Sequence, residues 1–328
     1  MATIGTTGTY TTIAAWEADA PATLTAIWLG ECQNQEFTEA VTIAGSTSTS
    51  SFYKHLTTAS GASFADNANK LTNALKFNTA NGAAITVTAG YTDTITVSEN
   101  YFRLSKLQVQ RITGGGASKA YLDTGVIGTQ VSQCIMESDR AASVARFEQD
   151  AIVSSCLFVG RNSAVGAIVT IGNVDGTLIN CTMVVPSDFT ASTDAIARSY
   201  ASGWAVINCA MFGATNTESG TGSAPTFTTC RGNDASPPTG VTTTAYDTTT
   251  GSGFENTTDS TRDFRIKTGS ALKDAGTTNS LGSPDAAGTA RPSGSAYDIG
   301  AWEFAAAAAA GAATLTMAPM TPGGWSRR

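Results

Sequence analysis

The sequence predicts an all-β solenoid, and three observations lead to that prediction. Only 14% of the 328 residues are charged, against about 25% in an average soluble domain. Glycine (33 residues), threonine (about 50), valine and isoleucine are abundant, a composition typical of chains made of strands and turns. From residue 134 onward, cysteines recur every 21 to 28 residues, and a repeat of that length is the mark of a solenoid.

An apolar residue stands three positions before each repeating cysteine. One repeat earlier in the chain, Leu107 takes the position of the cysteine. The five cysteines are Cys134, Cys156, Cys181, Cys209 and Cys230. No interval contains the apolar spacing of an amphipathic helix. Several short apolar runs joined by turns describe a parallel β-helix instead.

Equivalent positions of a parallel β-helix stack about 4.8 Å apart, so we expect the five cysteines to form a column inside the coils. Their spacing lacks the close pairs of a zinc site. A disulfide between neighbours is geometrically feasible but not favoured. Asn180 and Asn208, each just before a cysteine, are expected to stack and hydrogen-bond along the same ladder.

Three regions follow along the chain. Residues 1–80 are expected to form an irregular cap and the first coils, with a short helix over 11–18 that carries Ile13 and Trp16 on one face. Such a cap shields the open end of a coil. Residues 81–304 are expected to form the β-helix, and residues 305–328 an extended C-terminal arm rich in Ala, Thr, Pro and Gly.

The segments 263–270 (DFRIKTGS), 273–276 (KDAG), 291–294 (RPSG) and 297–304 (YDIGAWEF) resemble the closing stretch of right-handed parallel β-helix proteins. That group includes pectate-lyase-like enzymes, surface adhesins, and structural or tailspike proteins of tailed bacteriophages. The opening segments 2–5 and 10–17 resemble β-helix proteins of phages and prophages. In the closing stretch, Arg291, Asp298 and Glu303 suggest an ion-pair cluster that fixes the last coil.

A polysaccharide lyase or glycosidase on this scaffold needs clustered carboxylates at equivalent positions of neighbouring coils. Asp150 and Asp175 occupy similar turn positions, six residues before consecutive cysteines. Aspartate commonly forms turns by bonding its own backbone, so we expect a turn role there. Glu137, Asp139 and Arg140 are expected to form a surface ion-pair group.

The single histidine, His55, excludes sites that need several histidines, and a histidine-based triad would have to use it alone. Because His55 lies in the irregular N-terminal region with only Asp66 as a nearby acid, we do not expect it to be catalytic. Among the aromatic residues, Trp204 is the one candidate for an exposed platform that stacks on sugars, whereas Phe147, Phe158, Tyr200 and Phe212 are expected to pack in the core. We expect no catalytic residues, no cofactor, no metal and no enzymatic activity.

The net charge of −7 and a pI near 4.7 argue against a nucleic-acid partner. No signal peptide and no membrane-spanning run are visible, so synthesis in a host cytoplasm is expected. The arm suits docking on a neighbouring subunit. Its expected contact residues are Leu315, Met317, Met320, Trp325, Arg327 and Arg328.

These features favour a structural protein of a tailed-phage virion, on the capsid exterior. The specific expectation is a trimeric decoration (cement or head-spike) protein that contacts the major capsid protein or neighbouring virion subunits and stabilises the shell through its arm. The alternative is a tailspike or receptor-binding protein that binds or cleaves bacterial surface polysaccharide. A surface adhesin is disfavoured by the missing export signal.

Overall fold

The computed structural model describes residues 1–66, 73–88, 90–112, 118–139, 143–161, 166–172, 174–189, 192–201, 203–279, 281 and 284–304. Within these residues the chain winds as a parallel β-helix, with three sheets that run along its axis. Each coil adds one strand to each sheet in turn, and seven complete coils are formed. The predicted fold class is confirmed.

The three sheets are named here in the order in which a coil visits them. Sheet 1 contains Ala2–Ile4, Trp28–Cys32, Lys54–Thr58, Arg103–Ser105, Gln130–Ser132, Ile152–Ser154, Gly176–Ile179, Trp204–Ile207 and Thr226–Thr228. Sheet 2 contains Glu36–Phe37, Ala84–Val87, Gln108–Arg111, Ile135–Ser138, Leu157–Gly160, Thr182–Val184, Ala210–Phe212, Cys230–Gly232 and Val241–Thr243. Sheet 3 contains Val41–Ile43, Ile95–Val97, Tyr121–Asp123, Ser143–Phe147, Ala167–Ile171, Ser192–Ala201 and Ala214–Gly222.

Sheets 1 and 2 meet at a tight corner that repeats from coil to coil. Its first residue has a positive φ between 50° and 62°, and its second residue points into the coil. The first residues are Lys106, Gln133, Ser155, Asn180, Asn208 and Thr229. The left-handed backbone conformation is uncommon outside glycine, and asparagine is among the residues that adopt it most readily.

The five repeating cysteines directly follow these left-handed residues, and all five are buried and free. The Cys134 amide donates to Cys156 Sγ at 3.4 Å, and the Cys209 amide donates to Cys230 Sγ at 3.4 Å. The sulfurs therefore lie over one another in successive coils. A small side chain fits this inner corner, where the walls of the coil converge.

The predicted asparagine contact is also present, because Asn208 Nδ2 donates to Asn180 Oδ1 at 3.0 Å. Both side chains are fully buried. Asn208 further exchanges hydrogen bonds with the backbone of Thr277, donating at 2.7 Å and accepting at 2.8 Å. The ladder thus ties the coils to the C-terminal segment.

The N-terminal end is closed by the helix Ile13–Ala18, as predicted. Thr12 caps the helix by accepting from the Ala15 amide at 3.1 Å. Ile13 and Trp16 are fully buried in the core of the coils. A carboxyl on this helix, Glu17, meets the buried Lys54 ammonium at 2.8 Å.

Apolar side chains on the outer face of sheet 2, among them Ile135, Leu157, Val184 and Phe212, are covered by residues that follow the coils. The covering segment, residues 254–304, includes the antiparallel strands Phe254–Asn256 and Asp263–Ile266 and the 3-10 turn Asp259–Thr261. A second 3-10 turn, Thr79–Asn81, lies in the excursion between Lys54–Thr58 and Ala84–Val87. None of the helices in the described part of the chain is long and apolar enough to cross a membrane.

The predicted ion pair of the closing stretch is present inside the covering segment. Arg291 Nη1 lies 2.9 Å from Glu303 Oε2, and neither side chain is exposed. Arg291 also donates to the carbonyl oxygens of Asp298 and Gly300. Burial raises the pKa of Asp298 to about 6.

Candidate functional site

Polar side chains repeat on the outer face of sheet 1, in register from one coil to the next. One column contains His55, Arg103 and Gln130, which are neighbours on consecutive strands. The next column contains Ser105, Ser132 and Ser154, again in register. We call these six residues, with Thr57, the sheet 1 face. Because strand neighbours lie about 4.8 Å apart, the face presents hydrogen-bonding groups at a regular spacing along the axis.

His55 and Ser105 are in direct contact on this face. His55 Nε2 lies 2.9 Å from Ser105 Oγ, and Ser105 Oγ donates to Thr57 Oγ1 at 2.8 Å. All three side chains point out of the coil from the adjacent strands Lys54–Thr58 and Arg103–Ser105. His55 and Ser105 are half-buried, so both have access to solvent.

Two cations stand beside this pair. Arg103 is the register partner of His55; its guanidinium lies 3.7 Å from the Tyr53 ring centroid and donates to the Tyr53 hydroxyl at 2.5 Å. Lys106 is exposed at the corner directly after Ser105. Burial, followed by the charges of Arg103 and Lys106, lowers the pKa of His55 to about 4. The imidazole is therefore neutral at pH 7.

A groove of about 290 Å³ continues the sheet 1 face past these residues. It is lined by Gln130, Val131, Ser132, Gln133, Ile152, Ser154, Leu281 and Pro284. The covering segment supplies its far wall, held by Gln133 Nε2 donating to Asp285 O and Ser155 Oγ donating to Pro284 O, both at 2.8 Å. The volume is near the lower end of small-molecule sites, about 300 Å³.

The two turn aspartates of the sequence analysis lie at successive turns after sheet 3. The Asp150 amide donates to Asp175 O at 2.6 Å, and Asp150 has φ 51°. Asp175 Oδ1 lies against Gly203, where a Cβ would approach within 1.7 Å. These contacts fit the turn role that the sequence predicts.

The predicted surface ion-pair group was wrong for Glu137. This residue is fully buried on the outer side of sheet 2, where Arg262 of the covering segment donates to Oε1 at 2.7 Å and to Oε2 at 2.6 Å. The apolar cover over sheet 2, invisible in the local sequence, removes this position from solvent. Asp139 is half-buried, and Arg140 lies outside the described residues.

The expected sugar platform at Trp204 was also wrong. Only 1% of Trp204 is exposed, and its indole Nε1 donates to Gly172 O at 3.3 Å. A Cβ on Gly176, the register partner in the preceding coil, would come within 2.6 Å of the ring. The missing side chain at Gly176 leaves the space that the ring occupies.

A pair of carboxylates not singled out from the sequence lies at the end of sheet 3. Asp123 and Glu148 line a groove of about 380 Å³ with Arg146, whose Nε is 2.5 Å from Glu148 Oε1. Burial raises the pKa of Asp123 to about 6. Asp123 is unexposed and caps its own turn, accepting from the Gly125 and Val126 amides. It is therefore a buried structural acid with restricted access to a substrate.

Among the described residues, no group of three or more His, Cys, Asp or Glu side chains is placed to hold a metal ion. The expected contact residues of the arm, Leu315, Met317, Met320, Trp325, Arg327 and Arg328, lie outside the described residues. The sequence analysis missed Ser105 as a candidate, although Leu104 and Leu107 beside it fit the repeat frame. That frame signals that Ser105 faces outward.

Neither a protein-family model nor a curated protein matches this chain. Among solved structures, it is similar to a pectin methylesterase from Aspergillus niger, with 16% identity, a TM-score of 0.46, and coverage of 75% of this chain and 91% of that one. It is also similar to the pectate lyase Pel9A, with 11% identity, a TM-score of 0.38, and coverage of 90% of this chain and 91% of that one. These likenesses concern the β-helix scaffold.

The expectation that the chain is not an enzyme was wrong. The similar solved structures, a pectin methylesterase and a pectate lyase, are themselves enzymes. The β-helix part of the predicted resemblance is confirmed. Nothing in these likenesses shows a phage origin.

Proposed function

We propose that this protein binds a polysaccharide along the outer face of sheet 1. The observation that carries the proposal is the polar ladder of the sheet 1 face, which repeats in register over successive strands and opens into the 290 Å³ groove. A polymer with repeating hydroxyl and carboxylate groups is the ligand that suits a ladder of repeating donors and acceptors.

The contrast between sheets supports this choice of face. The outer face of sheet 2 is already buried under residues 254–304, with its apolar side chains packed in a core and Glu137 paired with Arg262. On the sheet 1 face, from Lys54–Thr58 to Gln130–Ser132, the outward side chains are hydroxyls, an amide, an imidazole and a guanidinium, and most remain partly exposed. Outward apolar residues, Leu29 and Ile152, stand opposite His55 and Gln130 on the strands that flank this stretch. A partly exposed polar face that needs no internal partner is available to a ligand.

The charge on this face favours an acidic polysaccharide. The chain as a whole carries a net charge of −7, yet Arg103 and Lys106 stand together beside His55. Guanidinium groups bind carboxylates through paired hydrogen bonds. Uronic-acid polymers present one such carboxylate on each acidic sugar.

Binding to alginate, a uronic-acid polymer, tests the proposal, with neutral dextran as the comparison polymer. Affinity electrophoresis of the full chain should show retardation by alginate. Arg103→Ala or Gln130→Ala should weaken the binding at least about tenfold, because a hydrogen bond to a charged partner contributes roughly 1.5–3 kcal/mol. Thr228→Ala, an exposed substitution on the last strand of the same sheet, should bind as wild type does. Equal retardation of wild type and Arg103→Ala would contradict the proposed face.

The place in a tailed-phage virion stays a prediction that nothing above tests. Its arm residues belong to 305–328, outside the described residues, and the trimer and the capsid partner rest on the same segment. The polysaccharide proposal is independent of it, since the sheet 1 face is described in full.

A further inference from the structure

We propose that His55 and Ser105 form a catalytic pair that hydrolyses short O-acyl esters on an acidic polysaccharide. The inference rests on the proposed function, because the polymer bound along the sheet 1 face is what brings the ester to the pair. It assigns to that face a reaction as well as a ligand class.

The geometry of the pair is that of a nucleophile and its base. Ser105 Oγ and His55 Nε2 are 2.9 Å apart, within the range of about 2.6–3.2 Å in which a base takes a proton directly. The two residues lie on adjacent strands of a regular sheet, which fixes their separation through the backbone ladder. Sites built on strands hold their geometry better than sites built on loops.

The protonation state of His55 also suits its role as a general base. A neutral imidazole has a free ring nitrogen, and the burial and nearby cations that keep the pKa of His55 at about 4 hold it neutral at pH 7. The Ser105 hydroxyl donates to Thr57 Oγ1 at 2.8 Å. In the imidazole tautomer that carries its hydrogen on Nδ1, Nε2 is the free nitrogen, and rotation about the Ser105 Cβ–Oγ bond turns the hydroxyl hydrogen from Thr57 toward it.

The reaction proceeds in two balanced steps. Ser105 Oγ attacks the ester carbonyl carbon while His55 Nε2 takes the hydroxyl proton; the tetrahedral intermediate then expels the sugar hydroxyl, which receives that proton, and leaves acyl-Ser105. A water molecule, deprotonated by His55 Nε2, next attacks the acyl carbon; as the bond from that carbon to Ser105 Oγ breaks, His55 Nε2 returns the proton to Oγ and the free acid leaves. The net change is ester plus water giving acid plus alcohol.

The cations define the substrate further. Arg103 and Lys106 favour the negative charge that develops on the carbonyl oxygen in the transition state. They also disfavour the imidazolium that must form on His55. A substrate carboxylate between them offsets that cost, so the pair is best suited to an ester on an anionic sugar. Glu31, on the preceding strand, is the register partner of Thr57 and places a carboxylate on the same outer face.

Covalent labelling with a fluorophosphonate probe tests the nucleophile without knowledge of the natural ester. Mass spectrometry should place one adduct on Ser105 in the full-length protein. Ser105→Ala should abolish the adduct, and His55→Gln should slow its formation at least about 100-fold, the usual contribution of a general base. Thr228→Ala should label as wild type does, and melting curves should show that every variant is folded. Labelling at the same rate in His55→Gln, or at another residue only, overturns the proposal.

Acetate release from chemically O-acetylated alginate tests the reaction itself. Wild type should release acetate, Ser105→Ala should not, and Ser105→Cys should retain labelling by a thiol-reactive acyl donor at the same site. Retardation by alginate without labelling or acetate release overturns this inference and leaves the proposed function standing. Labelling of Ser105 without retardation by alginate supports the pair and contradicts the proposed function.

Discussion

Single residues of this chain differ from their sequence-based expectations mainly in the direction that their side chains face. Trp204 was expected outside and lies inside, because Gly176 of the previous coil leaves room for its ring. Glu137 was expected at the surface and is buried by Arg262, 125 residues later in the chain. Neither neighbour is close in sequence, so local patterns could not reveal them.

His55 shows the same limit at the candidate site. The strand Lys54–Thr58, which contains His55, is separated from the next strand, Ala84–Val87, by residues 59–83. The later coils join the same two sheets through a short corner, so this long insertion hides the repeat in the sequence. The sequence therefore indicated an irregular region, whereas the structure places His55 in a regular strand, 50 residues from its partner Ser105. Composition showed that any histidine chemistry must use His55; only the register shows what it contacts.

Asp123 gives a pH-dependent prediction at the residue scale. Its folded pKa of about 6 lies above the ordinary 3.8, so the folded state binds the proton more tightly and stability is lost as pH rises from about 4 to 6. Asp123→Asn keeps the Oδ1 cap and does not titrate. The free energy of unfolding of the variant minus that of wild type, from urea titrations, should therefore rise by roughly 3 kcal/mol between pH 3 and pH 7.

Asp274→Asn provides a control of opposite sign. The pKa of Asp274 is lowered to about 2, first by Lys273 and then by the backbone amides of Ala296 and Ser295, so its stabilising contribution is present above about pH 4 and is lost as pH falls through 2. The free energy of unfolding of Asp274→Asn minus that of wild type should therefore fall as the pH rises. A pH-independent difference for Asp123→Asn would contradict the buried-acid assignment.

At the scale of the element, the recurring corner explains why the cysteine frame was readable from sequence. In each repeat, an apolar residue is followed two positions later by a polar residue and then by a cysteine. The polar residue is the left-handed one, and the cysteine takes the inner corner position. The chain bends at the residue before each cysteine, so the residues on either side of that bend belong to sheet 1 and sheet 2. Periodicity located the repeat, but φ angles leave no direct mark in residue spacing.

Asn208 tests the corner through two matched substitutions. Asn208→Gly tolerates φ 50° and loses only the bonds to Asn180 and Thr277, at about 1–3 kcal/mol. Asn208→Ala loses the same bonds and adds about 1–2 kcal/mol of left-handed strain. Urea unfolding should rank the stabilities as wild type, then glycine, then alanine. A glycine variant less stable than the alanine variant would show that strain is not what selects asparagine here.

For the whole molecule, the main addition to the predicted β-helix is the covering segment on sheet 2. Its apolar residues pack on the outward side chains of the coils. Arg262 forms ion pairs with Glu137 and Asp259. Arg161, directly after the sheet 2 strand Leu157–Gly160, also pairs with Asp259 at 2.9 Å. The resemblance of the closing stretch indicated a closed last coil. The structure shows that this stretch also lies along the side of the helix.

Arg262→Met is expected to destabilise the protein by about 3–5 kcal/mol, because it leaves the buried Glu137 carboxylate without its cation. The double variant Arg262→Met with Glu137→Gln should recover most of that loss, since the charge is removed with its partner. Urea unfolding of the two single variants and the double variant measures the coupling. Additive losses would contradict a shared buried ion pair.

The position of the covering segment after the coils sets the order in which the chain can mature during synthesis. Each coil can stack on its predecessor as soon as it leaves the ribosome. The apolar surface formed by Leu157, Val184 and Phe212, however, stays exposed to solvent until residues 254–304 have emerged. The nascent chain therefore exposes its largest apolar surface just before the covering segment is synthesised. A translation pause or a truncation before residue 254 leaves a nearly complete β-helix that is prone to aggregation.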